Sequence, residues 1–166
     1  GEAQAADEFS RTEGGFNRFN FDVNHVSKLS KVTQFYIFAH GQLANRNLDS
    51  SEQFYLGGAD AVRAYPQGEA GGDSGYQATA ELRYQTPVKG MSMTLFADVG
   101  EVLARKDGDT SDPHRRLAGW GIGAVYSLDR SLYARLDYAR KIKGESYRSE
   151  AEDKNGRLWF RLYKLF

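Results

Sequence analysis

The 166-residue sequence predicts an all-β fold, a portion of an antiparallel transmembrane β-barrel, on three observations. Its candidate strands alternate apolar and polar side chains, most reach about ten residues, and the connections between them are short and long by turns. Strands of soluble domains usually run to about five or six residues, whereas a tilted strand needs roughly 9 to 11 to cross a bilayer. Short turns at one end and long loops at the other are the habit of outer-membrane barrels, and a soluble sandwich has no physical reason to keep that asymmetry.

Seven strands are expected. The first, Phe16 to Val26, sets Phe19, Phe21 and Val23 against Asn20, Asp22 and Asn24. The second, Val32 to Ala44, sets Phe35, Ile37, Ala39 and Leu43 against Gln34, His40 and Gln42, with Tyr36 and Phe38 blurring the pattern. Tyr76 to Tyr84 follows with Ala78, Ala80 and Leu82 on one face and Gln77, Thr79, Glu81 and Arg83 on the other. In Met91 to Gly100, Met93, Leu95, Ala97 and Val99 oppose Ser92, Thr94, Phe96 and Asp98. Leu117 to Leu128 sets Trp120, Ile122, Ala124 and Tyr126 against Gly119, Gly121 and Gly123, and Leu132 to Ile142 sets Ala134, Leu136 and Tyr138 against Tyr133, Arg135 and Asp137. In the last, Arg157 to Phe166, Leu158, Phe160 and Leu162 oppose Arg157, Trp159 and Arg161. The whole chain, 1–166, reads as one region, with 45–75 as a long external loop.

Bulk composition narrows the alternatives. Charged residues make up 27% of the chain, and no apolar run approaches the 18 or so residues of a membrane helix. A barrel tolerates that composition, because only every second residue of a strand meets lipid. The 22 basic and 22 acidic residues balance, which argues against a nucleic-acid partner. The absence of cysteine removes disulfides, cysteine metal sites and thiol nucleophiles. The chain opens at Gly1 without an initiator methionine and is expected to be part of a longer protein, with further strands upstream. An isolated seven-strand sheet would expose two edges, for which edge-to-edge self-association is one remedy.

The stretch Phe54 to Tyr84 carries the densest motif. It holds Leu56-Gly57-Gly58, then Val62-Arg63-Ala64-Tyr65, Gly68-Glu69 and Gly72-Asp73, and feeds into the strand with Glu81-Leu82-Arg83. A second motif, aromatic-x-Asp-x-Gly, is met by Phe96, Asp98 and Gly100. Together these resemble the sixth external loop and the facing strand of the TpsB two-partner secretion transporters, of the haemolysin-activator and filamentous-haemagglutinin-transporter type, within the superfamily of the barrel assembly protein BamA. The family usually has glycine where this chain has Ala64, which suggests that the backbone there needs no positive φ.

The resemblance implies a sixteen-stranded barrel in a Gram-negative outer membrane, preceded by periplasmic POTRA domains, that exports one large partner protein without ATP. Its implied partners are a secreted TpsA-like protein, outer-membrane lipid and the barrel-assembly machinery, with no cofactor and no metal. It also implies that the loop 45–75 folds back into the lumen, that Arg63 latches it to Asp98 on the inner wall, and that Phe166 belongs to an insertion signal. A guanidinium suits such a latch because its planar fork binds a carboxylate bidentately. Reversing both charges together is expected to do better than reversing either alone if the pairing is direct.

Other residues stay open between readings. Glu81, Arg83, Arg135, Asp137, Arg157 and Arg161 either line a conduit for an extended polypeptide or form a salt-bridged wall in a wet lumen. Gly119, Gly121 and Gly123 either leave room for an inserted element or only permit strand coiling. Tyr126, Tyr138, Tyr163 and Phe166 sit where an aromatic girdle belongs. No enzyme is expected: His25, His40 and His114 lie apart with no metal-ligand spacing, and His40 with Asp22 is the one dyad the pattern allows. The alternative function is a structural or adhesive barrel whose external loops bind a partner.

Overall fold

The structure, a computed structural model, describes residues 15–103, 114–128, 131–142, 149–150 and 154–165. The chain forms β1 (Arg18–Lys28), β2 (Thr33–Ala44), β3 (Phe54–Leu56), β4 (Ala70–Gly72), β5 (Ser74–Gln85), β6 (Met91–Leu103), β7 (His114–Leu128), β8 (Leu132–Lys141) and β9 (Gly156–Lys164). Seven of these make one sheet in the order β1-β2-β5-β6-β7-β8-β9, with every neighbouring pair antiparallel. The remaining two, β3 and β4, pair with each other inside the long connection between β2 and β5, behind a single 3₁₀ turn at Ser50–Glu52.

The strands outrun the expected limits at the long-loop end. Glu101, Arg115 and Arg116 read as loop because they are charged, yet Val102 pairs with Arg115 and Leu103 with His114, so β6 and β7 continue together. Phe166, the expected insertion signal, lies outside the described residues, as do the opening residues 1–14.

The faces are arranged opposite to those of a soluble sheet. Leu95 and Ile122 are each 52% exposed and Phe160 is 65% exposed, while Asp98 on the other face is 1% exposed. These outward residues line up across strands, Leu95 beside Ile122, Ile122 beside Tyr138 and Tyr138 beside Leu158, giving one continuous apolar surface. A half-buried sheet in water would turn that surface to the core. Apolar-out and polar-in is the alternation of a strand facing lipid on one side and a wet lumen on the other.

The buried apolar cluster sits instead on the polar face, under the long loop. Phe54, Leu56, Val62, Ala64, Tyr65 and Ala70 of the loop pack with Phe96 and Val102 of β6, Leu117 of β7 and Ala139 of β8. Tyr36 and Phe38, which blurred the alternation of β2, belong to this face. The Arg83 guanidinium lies 4.0 Å from the Tyr36 ring centroid, and Phe38 stacks on His40, which stacks on Phe54. Tyr163 departs from the girdle expectation: it contacts Tyr133 across β8 and β9, on the face that carries Arg161.

The apolar surface generates a test. Ile122→Arg puts a charge in the middle of the lipid-facing surface and is expected to cost about 2–4 kcal/mol of stability in a bilayer. The measurement is denaturant unfolding of the membrane-inserted protein, with Val125→Arg, on the opposite face, as the comparison expected to cost less.

Candidate functional site

The loop between β2 and β5 is held by hydrogen bonds of its own and by one to the end of β6. Asp73, fully buried, accepts from the Leu48 N–H at 3.0 Å and the Gln53 side chain at 3.1 Å, and its N–H donates to the Leu103 carbonyl at 2.9 Å. At its start the Asp49 carboxylate accepts from the Ser51 N–H and hydroxyl, which lowers its pKa. The β3–β4 ladder forms the stalk, and residues 57–68 form a tip closed by Gly58 N–H to the Tyr65 carbonyl at 3.1 Å. Gly57 and Gly58 have φ of +88° and +113°, so the turn off the stalk needs residues without a Cβ.

This tip delivers Arg63 to the polar face. Its Nε and Nη2 donate to the two oxygens of Asp98 at 2.9 and 2.7 Å, and its backbone N–H adds a third bond at 3.1 Å. The Thr79 hydroxyl, on the residue paired with Asp98, donates to the same carboxylate at 2.9 Å. Nη1 reaches Glu81 at 2.9 Å, and the guanidinium carbon lies 3.3 Å from the Phe96 ring centroid. Burial alone would lower the Arg63 pKa, but hydrogen bonding and charge from Asp98, with the charge of Glu81, outweigh it and raise it. The cation therefore does not titrate near neutral pH, and its contribution is lost only as pH rises through that raised value.

The aromatic-x-Asp-x-Gly motif acquires a physical reading position by position. Phe96, Asp98 and Gly100 face the loop at successive inward positions of β6. Phe96 gives the guanidinium a flat surface, Asp98 gives it a fork, and Gly100 leaves space that the Leu56 side chain fills, since a Cβ there would lie 2.6 Å from Leu56 Cδ2. The glycines of β7 likewise make room. A Cβ at Gly119 would meet the Ala64 Cβ at 2.6 Å, one at Gly121 would meet Phe96 Cζ at 2.5 Å, and one at Gly123 would collide with the Asp137 carboxylate.

The inward charges form a balanced network around this point. Glu81 accepts from Arg83 at 2.8 Å and Arg135 at 2.9 Å, and Asp137 accepts from Arg135 at 2.7 Å and lies 3.5 Å from Arg161. Arg161 also pairs with Asp60 of the loop tip. Arg157 stands apart, paired with Glu150 and 5.6 Å from the Trp159 ring centroid. Val62, Ala64 and Tyr65 are fully buried, with the Lys141 ammonium 5.8 Å from the Tyr65 ring centroid. Gly68 turns the chain at φ +67°, and Glu69 beyond it pairs with Arg115.

Two contributors carry no sequence signal that the motifs supply. Trp159 donates its indole N–H to the Arg63 carbonyl at 2.7 Å, tying β9 to the tip. Arg115 lies in what reads as a loop; its position two residues before Leu117 on the inward alternation was the available clue. The Asp22–His40 pair does form, at 2.7 Å, but His40 is held between Phe38 and Phe54 and no nucleophile completes it among the described residues. No cluster of three or more metal-ligating side chains occurs among the described residues.

A sheet that is apolar outward and charged inward, with a long loop pinned by a buried arginine against its inner face, defines a portion of an outer-membrane β-barrel transporter. The chain belongs to the family of haemolysin secretion/activation proteins ShlB/FhaC/HecB, whose description its residues 1–126 match. Members of that family are outer-membrane transporters and not enzymes. The chain is 33% identical over 98 residues to the heme/hemopexin transporter protein HuxB of Haemophilus influenzae strain 86-028NP, covering 57% of this chain and 17% of that protein. HuxB of a second Haemophilus influenzae strain is 34% identical over 88 residues, covering 51% of this chain and 16% of its own length. In fold the chain resembles CdiB from Acinetobacter baumannii, with a TM-score of 0.67 and 20% identity over 90% of this chain and 27% of CdiB. The chain thus spans about a sixth of the curated relatives' length.

The network changes the expected outcome of a charge swap. An aspartate at position 63 would face Glu81 and Asp137 as well as an arginine at position 98, so reversal restores little. A cycle with Arg63→Met and Asp98→Asn is the cleaner measurement. Arg63→Met is expected to cost about 3–5 kcal/mol by leaving the buried Asp98 carboxylate without a cation, and Asp98→Asn to cost less, since Glu81 still pairs with Arg63. The double change should cost clearly less than the sum, read from unfolding of the protein in micelles.

Proposed function

We propose that this chain builds the carboxy-terminal part of the wall of a two-partner secretion transporter, and that its long loop is the movable element of the conduit. On this reading the polar face lines the lumen, and the loop lies in it, held by Arg63 on Asp98. The observation that carries the proposal is the burial of Arg63, a loop residue 3% exposed, against carboxylates from two strands. A loop of this length that served only to bind an outside partner would not need its tip sunk onto the inner wall.

The exported partner is a large secreted protein of the TpsA type, passing as an extended chain. Its path follows Glu81, Arg83, Arg135, Asp137 and Arg161, whose paired charges offer a wet wall without a strong preference for either sign. Export needs no ATP, because an outer-membrane conduit has no nucleotide supply, and folding of the partner outside can draw it across. Recognition of the partner, by resemblance to the family, falls to periplasmic domains outside this chain. Phe166 is assigned to the insertion signal read by the barrel-assembly machinery.

The test uses the intact transporter in cells that make its secreted partner. Arg63→Met and Asp98→Asn are each expected to lower secretion about tenfold or more at unchanged outer-membrane abundance. Undiminished secretion in both would overturn the proposal in favour of an adhesive barrel. Translocation into vesicles free of nucleotide checks the energy source.

A further inference from the structure

We infer that Arg115 and Glu69 form a second latch, which holds the base of the loop tip when Arg63 lets go, so that the loop leaves the inner face in two steps. The inference rests on the reading of the loop as the movable element. Arg115 Nη1 donates to the Glu69 carbonyl at 2.5 Å and Nη2 binds its carboxylate. The other carboxylate oxygen accepts from the Ser149 N–H at 3.3 Å and from the Ser149 hydroxyl. Both charged residues are buried, Glu69 at 4% and Arg115 at 7% exposure.

This carboxylate joins two connections and the start of a strand at the long-loop end. Glu69 belongs to the loop before β5, Arg115 is the second residue of β7, and Ser149 lies between β8 and β9. Asp98 pairs with Gly119, four residues further along β7 than Arg115. At about 3.3 Å per residue the two latches sit roughly 13 Å apart along the strand. The contacts described for each differ: Arg63 meets Asp98, Glu81 and Phe96, and Glu69 meets Arg115 and Ser149.

The tip that carries Arg63 is bounded by glycines. Gly57 and Gly58 lie at one end of the tip and Gly68 at the other, all at positive φ, and Gly68 N–H reaches the Gly57 carbonyl at 3.4 Å. Nothing stands within 4 Å of a Cβ placed on Gly68. With Arg63 released and Glu69 still held, residues 58–67 turn as a flap about this neck, giving up the packing of Val62, Ala64 and Tyr65 and the Trp159 bond, while the β3–β4 stalk stays in place. Breaking the outer latch then loosens the stalk, which keeps the Asp73 bonds and the packing of Phe54, Leu56 and Ala70 against β6 and β2.

The experiment is conductance of the intact protein in planar bilayers, with heat-shifted gel mobility confirming folded barrels. Arg63→Met is expected to open an intermediate level, and Arg63→Met/Arg115→Met a larger one, with open probability at least about tenfold higher than Arg63→Met, a shift of about 1.4 kcal/mol. In the Arg63→Met background, Arg115→Lys should fall between, since it keeps the charge but loses the fork. If Arg115→Met prevents folding, Glu69→Gln, which keeps the shape, takes its place. A combined variant that behaves as Arg63→Met alone overturns the second latch and leaves the first standing. Conductance unchanged in both would overturn the second latch together with the reading of the loop as movable.

Discussion

A guanidinium buried to 3% exposure sets the terms for the rest of the inner face. Removing such a charge from water costs several kcal/mol unless its hydrogen-bonding positions are filled, so Arg63 requires Asp98, Glu81 and the Phe96 ring at once. These come from neighbouring strands, with Thr79 opposite Asp98 and Glu81 opposite Phe96 in the β5–β6 ladder. A one-residue slip would turn Asp98 or Glu81 toward lipid and strip Arg63 of half its partners. The latch therefore depends on register, and register is in turn favoured by the latch.

The same constraint explains why the chain keeps an apolar core on its polar side. A lipid-facing sheet cannot gain from burying its outer surface against protein, because lipid already covers it. The apolar packing that orders this chain has to come from the other face, and the loop supplies it with Phe54, Leu56, Val62 and Tyr65. The small residues of β7 are what let it approach: Gly119 opposite Ala64, Gly121 beneath Phe96 and Gly123 beside Asp137 each leave space that a larger side chain would take. The alanine in place of the family's glycine adds a methyl group at the point where Gly119 has none.

The strands and the inner pair were legible because their signals are local. Period-two alternation points Asp98 inward wherever its ladder partners lie, and the two motifs single out Arg63 and Asp98 by residue type. What was not legible depends on pairing across distance. Glu101, Arg115 and Arg116 look like loop until the ladder of β6 with β7 shows them extending it. Tyr163 looks like girdle by position, yet its parity with Arg161 puts it inside, against Tyr133. Trp159 read as one more inward aromatic, and only the folded tip places a carbonyl 2.7 Å from its indole nitrogen. Short β3 and β4 carry no periodicity to read, since three residues of Phe-Tyr-Leu facing Ala-Gly-Gly make too brief a pattern.

The choice of charge over grease at the latch bears on whether the loop can move. Buried ion pairs add little stability compared with well-packed apolar groups of the same volume. If permanence were the requirement, an aliphatic side chain at position 63 on an apolar wall would serve as well. An apolar tip, however, loses its whole burial free energy on entering water, whereas Arg63, Asp98 and Glu81 exchange their mutual bonds for hydration. Glu81 keeps Arg83 and Arg135 when the arginine leaves, whereas Asp98 keeps the Thr79 hydroxyl and takes up water in place of the guanidinium. The network thus lowers the cost of the open state without weakening the geometry of the closed one, which is what the proposed release of the loop requires.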